Sequence, residues 1–236
     1  MPFNAAMVRA VLAGAKTQTR RVIKDPPVHG VTTCYFSPSG WSECNNDAGR
    51  CSCRPVRCPS GVPGDTLWVR EAWRLPVDLD PYSGKAVGEM ATEAGYDTPW
   101  APLEYEADGA VRSAADWNLW PTQERGRYRH ARFMPRWASR ITLSVTDVRV
   151  ERVQDISEED ARAEGVESDA WDECSRSTRA RRRTRAPSTR SPVSVSDYRG
   201  AFRVLWNSIN GKRPGCSWAA NPWVWAIDFE RAEGEP

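Results

Sequence analysis

A chain of 236 residues with 40% hydrophobic and 27% charged residues can bury a sizeable core, and its length suits one large or two small domains. Its formal net charge is only +2, from 33 Lys plus Arg against 31 Asp plus Glu, which excludes a polycation that coats nucleic acid indiscriminately. No apolar run reaches the length of about 18 residues that a bilayer requires, and the N-terminus lacks the charged and apolar regions of a secretory signal, so the expectation is a cytoplasmic protein with no membrane partner. Seven cysteines, five of them between Cys34 and Cys58, point in a reducing compartment to free thiols or a metal site before disulfides.

Residues 4–13 read as a short helix capped by Asn4, with Met7, Val8, Val11 and Leu12 on one apolar face and Gly14 as its stop. Residues 17–23 are rich in β-branched side chains and predict a strand. Residues 24–63, dense in Pro, Gly, Ser, Asn and Cys, carry neither period and are expected to be an inserted loop. GDTLWVREAWR (64–74) alternates as a strand with Leu67, Val69, Glu71 and Trp73 on one face and Trp68 and Arg70 on the other. Residues 75–103 lack periodicity and are expected to be a second loop insertion, followed by a short strand at 105–108 and the basic, aromatic RGRYRHARFMPRW.

RITLSVTDVRV predicts a strand whose apolar parity switches between Val145 and Val148, so a bulge or turn is expected near Thr146 and Asp147. QDISEEDARAEGV predicts a helix with Ser157 as N-cap, Ile156 as staple, Glu164 as last helical residue and Gly165 as terminator. Residues 172–196 hold no acid after Glu173 and seven arginines, among them Arg179, Arg181, Arg182, Arg183 and Arg185, in a background of Ser, Thr and Pro. That composition predicts a disordered insertion able to contact phosphates without reading bases. Tyr198, Phe202, Leu205, Trp206 and Ile209 then recur at helical spacing, and NPWVWAIDF closes with a strand. Short strands, few helices and Trp-rich alternating faces predict an α+β fold, a small β-barrel with peripheral helices and long loop insertions in a single domain over 1–236.

The segment AGAKTQTRR, 13–21, holds more chemistry than a loop needs. Strict strand alternation would put Lys16 and Thr19 on opposite faces, so they converge only if Lys16 lies in the turn after the helix. A solvated basic edge is the plain alternative for Lys16, Arg20 and Arg21. Glu71, an acid in an apolar row, is either paired with an arginine such as Arg140 or open to a hydrogen bond from a base amino group. Trp68, with Trp73, Trp223 and Trp225, belongs in a core unless it lines a cleft where a base stacks on it. Cys44, Cys51, Cys53 and Cys58 lack a C-x2-C pair; a structural zinc that staples the loop is one reading of them, and a catalytic zinc is disfavoured because His29 is the only nearby histidine.

KTQTRR, GDTLWVRE, MPRWASRI and NPWVW in this order resemble the ASCH family, relatives of the PUA fold, and most of all its larger bacteriophage-encoded members. The resemblance covers about half of the chain, chiefly 5–23, 58–74, 134–166 and 200–230. One small bacterial member hydrolyses N4-acetylcytidine to cytidine and acetate with a Lys, a Thr three residues later and a Glu on a later helix. The resemblance therefore implies an amidohydrolase acting on N4-acylated cytidine or a related modified nucleobase. Lys16, Thr19 and Glu164 would be its reacting set, with Arg20, Arg21, Trp68 and Glu71 around the substrate and no cofactor required. The implied partners are a modified nucleoside or RNA; the alternative is a non-catalytic module that binds RNA or a modified base. Amide hydrolysis needs a nucleophile, a group to take its proton and a donor to the departing nitrogen, and these residue types supply all three.

Overall fold

The computed structural model describes residues 1–24, 34–37, 40–45, 52–56, 58–112, 124–166 and 197–232, with backbone alone over 34–37, 40–45 and 52–56. In chain order the elements are α1 (Ala5–Leu12), β1 (Gln18–Val22), β2 (Cys34–Ser37), β3 (Gly40–Asn45), β4 (Ser52–Val56), β5 (Thr66–Trp68) and β6 (Trp73–Arg74). They continue with α2 (Gly84–Glu93), β7 (Leu103–Tyr105), β8 (Val111–Arg112), β9 (Thr142–Arg152), α3 (Glu158–Ala163), α4 (Tyr198–Asn210) and β10 (Trp223–Arg231). The fold is mixed α+β, and the chain divides into two compact units, each assembled from separated stretches.

The first unit comprises Met1–Gly14, Gly64–Val145 and Glu230–Pro236. Asn4 caps α1 by accepting from the Met7 N–H at 2.9 Å, and Gly14, at φ 71, ends it in the left-handed region that glycine tolerates. The strand expected over 64–74 forms as two pieces: β5 pairs antiparallel with the first residues of β9, and β6 joins the sheet β6-β7-β8. The core packs Trp73, Leu75, Leu79, Val87, Leu103, Tyr105 and Met134 together.

Residues 75–103, expected to be a loop, contain α2, whose N-cap Ser83 accepts from the Ala86 N–H at 3.1 Å. Its sequence GKAVGEMATE hides the helix because two glycines sit in its buried face. They are there for space: a Cβ on Gly84 would stand 2.9 Å from the Trp73 ring, and one on Gly88 would stand 2.7 Å from Trp137 Nε1. The two indoles themselves meet edge to face at 6.1 Å.

The second unit comprises Ala15–Pro63 and Thr146–Phe229. β10 lies between β1 and β9. It pairs antiparallel with β1, Gln18 opposite Asp228 and Val22 opposite Val224. Val153, Ile156, Ala161, Phe202, Trp206 and Val224 close the core where α3 and α4 cover the sheet. The parity switch expected in β9 occurs without interrupting the strand: Thr146 and Asp147 are both exposed between buried Val145 and Val148, and the division between units falls at that step. Residues 24–63, expected to have no strands, include the antiparallel sheet β2-β3-β4. Strands of four to six residues leave too brief an alternation for periodicity to register.

Candidate functional site

The second unit gathers most of the chemistry around the start of β1. Thr17 donates its N–H to the Ala163 carbonyl at 2.9 Å and accepts from the Phe229 N–H at 2.8 Å, so the backbone before β1 is fastened to the end of α3 and to β10. α3 begins at Ser157, whose hydroxyl accepts from the Asp160 N–H, and ends with Glu164 as its C-cap, followed by Gly165 at φ 74. Lys16 and Glu164 face each other as an antiparallel bridge. The Lys16 backbone is thus extended and lies in no turn after α1.

Lys16 Nζ donates three hydrogen bonds, to the Gln18 carbonyl at 2.7 Å, the Glu164 carbonyl at 2.8 Å and Glu164 Oε2 at 2.7 Å. One of these acceptors is a helix-terminal carbonyl that has no partner within the helix, so the ammonium also caps the negative end of α3. Both side chains are sealed from solvent, at 0% and 3% exposure. Burial pushes the lysine below its ordinary pKa, the charge and hydrogen bond of Glu164 pull it back, and Arg21 and Arg20 push it further down.

Gln18 and Arg20 share a face of β1, for Arg20 Nη1 donates to Gln18 Oε1. Arg20 donates as well to Glu151 at 2.6 Å, to Asp160 at 3.1 Å and to Glu164 Oε1 at 3.3 Å, and it is 4% exposed. The Gln18 amide nitrogen donates to Asp160 at 3.0 Å and to Asp228. Arg149 completes the network, reaching Asp160 at 2.8 Å and Glu151 at 3.4 Å as well as Asp228. Arg20, expected around the substrate, therefore directs its donors at the protein itself.

Thr19 stands on the opposite side of β1 from Gln18 and Arg20, in register with Ile227 and 1% exposed. Arg21 shares that side and is half-buried. Burial pushes its guanidinium below the usual value, Glu164 pulls it up and Arg213 adds to the push, which places Arg21 in the same electrostatic neighbourhood as the Lys16–Glu164 pair. Of the three expected reacting groups, Lys16 and Glu164 touch; Thr19 lies on the alternate side of the strand.

Glu151, Asp160, Arg149, Asp228 and Gln18 were missed by the sequence reading. A signal was present: Lys16, Gln18 and Arg20 repeat at a period of two, as do Asp147, Arg149 and Glu151, and Asp228 interrupts an apolar strand.

Trp68 and Glu71 belong to the first unit. Glu71 is 1% exposed and receives both Arg140 Nε and Nη2 at 2.9 Å, the paired reading of the two that its apolar row allowed. Arg140 also holds Asp108 and lies 4.0 Å from the centroid of the Tyr105 ring. Trp68 is half-buried beneath the Arg70 guanidinium, 5.4 Å from its ring centroid.

Cys58 is buried and free, and burial pushes its thiol up. β3 and β4 bring the backbones of Cys44 and Cys53 into register; Cys51 lies outside the described residues. No group of three metal-ligating side chains occurs among the described residues. Arg179, Arg181, Arg182, Arg183 and Arg185 also lie outside them. None of the described helices is long and apolar enough to cross a membrane. Comparison of the chain with family models, with curated proteins and with solved structures returned no match.

Proposed function

We propose that the chain is an ASCH-type amidohydrolase of PUA-like barrel fold that removes the acyl group from N4-acylated cytidine or a related modified nucleobase. The observation that carries this reading is the Lys16–Glu164 pair, 2.7 Å apart and closed to solvent, with Arg21 in its field. Burying an ammonium is expensive unless it is paired, and titratable groups displaced by burial and by a specific partner concentrate at catalytic sites.

The pair suits proton traffic. In one state the ammonium donates to all three oxygens; if the proton crosses to Glu164 Oε2, the amine still donates to two and accepts the third bond, with no heavy atom displaced. In the reaction, a water attacks the acyl carbon, the C–N bond breaks, and the N4 amine leaves with a proton. Overall, one water is consumed and cytidine and the carboxylic acid form. Lys16 activates the nucleophile, Glu164 orients Lys16 or carries the proton to the leaving nitrogen, and Arg21 faces the oxygen where negative charge grows. No step calls on a metal.

Incubation with N4-acetylcytidine, followed by chromatography for cytidine, tests the reading. Product is expected from the natural chain, with a loss of at least about 100-fold in Lys16→Ala and in Glu164→Gln, the latter removing the carboxylate charge while keeping the shape. No product, or equal product from both variants, overturns it. One observation favours the alternative, a non-catalytic binding module: all three Nζ donors of Lys16 are already engaged. That alternative predicts retention of the acetylated nucleoside without turnover.

A further inference from the structure

We propose that the first unit carries a separate binding surface for single-stranded nucleic acid, formed by Arg70, Arg132 and Arg136 with Phe133 as its stacking ring. Residues 125–140 contain six arginines and a histidine but no acid. Three of the arginines are neutralised within the protein. Arg125 meets Glu104 at 2.7 Å and Glu106 at 3.1 Å, Arg129 lies 3.6 Å from Asp80, and Arg140 is held by Glu71 and Asp108. Arg127 keeps a loose contact with Asp80, 3.9 Å away.

Arg132 and Arg136 have no carboxylate partner among the described residues; Arg136 reaches only the Thr142 hydroxyl, at 3.2 Å. Arg70 is in the same condition. Its Nη1 donates to the Arg132 carbonyl at 3.2 Å, its guanidinium covers Trp68, and its Nε is buried without a partner. The contact with the Arg132 backbone fixes two stretches, 62 positions apart in sequence, beside each other. Arg136 follows four residues on, across two single 3-10 turns, Ala131–Phe133 and Arg136–Ala138.

Phe133 stands between Arg132 and Arg136 in the sequence and is 62% exposed, the most exposed of the large hydrophobic residues described. The Arg132 guanidinium is 4.8 Å from its ring centroid. Tyr128, 46% exposed with His130 edge-on at 5.1 Å, offers a second ring in the same stretch. Unpaired guanidiniums interleaved with open rings match the chemistry of a strand whose phosphates run past unstacked bases. A duplex presents no free base face, and an acidic peptide would engage the arginines without needing Phe133. Charge and ring together therefore favour the single strand.

Fluorescence anisotropy of a labelled oligothymidylate with the full chain tests this across a salt series. Phe133→Ala is expected to weaken binding at least about fivefold at fixed salt, the low end of a lost base stack. Arg132→Ala combined with Arg136→Ala is expected to lower the slope of log K against log salt by about 1.4. Unchanged melting temperatures in these surface variants show that folding is not the cause. The absence of binding, or Phe133→Ala binding as tightly as the natural chain, overturns the proposal. So does heparin binding that Phe133→Ala leaves intact while oligothymidylate is ignored, which would mark a polyanion surface indifferent to bases.

Discussion

Lys16 and Glu164 are each affordable only because the other is present. Removing one member of a buried ion pair strands the other without water, at a cost of about 3–5 kcal/mol, whereas replacing both with apolar groups of like volume is often close to neutral. Lys16→Met is therefore expected to destabilise the protein by about that amount, and Lys16→Met with Glu164→Met to recover part of the loss, as read from urea unfolding. Strictly additive effects would show that the two groups are not coupled. Residue-level reading of the sequence fared unevenly for a physical reason. Glu71 was legible because an acid in an apolar row demands a cation, and Arg140 is that cation. The partners of Arg20 were not legible, since Glu151 and Asp160 lie 131 and 140 positions away and only the fold brings them to β1.

Among the elements, those with strong end signals were readable: α1 with Asn4, α3 with Ser157 and Gly165, and β10 with its alternating aromatics. α2 was not, because its glycines obscure both propensity and periodicity. Propensity and packing make opposite forecasts at Gly88. In an exposed helix, alanine there would stabilise by about 1 kcal/mol. Against an indole nitrogen 2.7 Å from the added methyl, Gly88→Ala is expected to lower stability by about 1–3 kcal/mol through overpacking. A melting temperature equal to or above that of the natural chain would mean that Trp137 gives way freely.

At the scale of the whole molecule, ion pairs in both units set the response to pH. In the first, the Arg140 hydrogen bond holds Asp108 below the usual carboxylate range. In the second, burial pushes Asp160 up but Gln18 and Arg149 outweigh it, so it too is depressed. Acids of this kind stabilise the fold above their unfolded pKa of about 4, and that stability is lost as pH falls through their folded values. Glu71 opposes them: burial raises it in spite of Arg140, and its cost is relieved on protonation. Lys16, depressed, contributes a slope of the same sign as the two aspartates but on the alkaline side, with stability rising toward about pH 10. The midpoint of urea unfolding is thus expected to drop between about pH 5 and pH 3; a flat profile there would contradict the pairing. Sequence reading reached the α+β class but not the division into two units, because each unit closes through chain segments far apart in order.

Only four of the 33 cationic side chains are lysines, and Lys24, Lys85 and Lys212 are all exposed. A chain so partial to arginine nevertheless keeps an ammonium at position 16, and the three oxygens around that nitrogen explain the exception. They suit a small conical tip with three protons; a flat fork with five would leave donors stranded in a dry place. Here the outline of the cradle, rather than its sign, dictates which of two equally charged amino acids can occupy it.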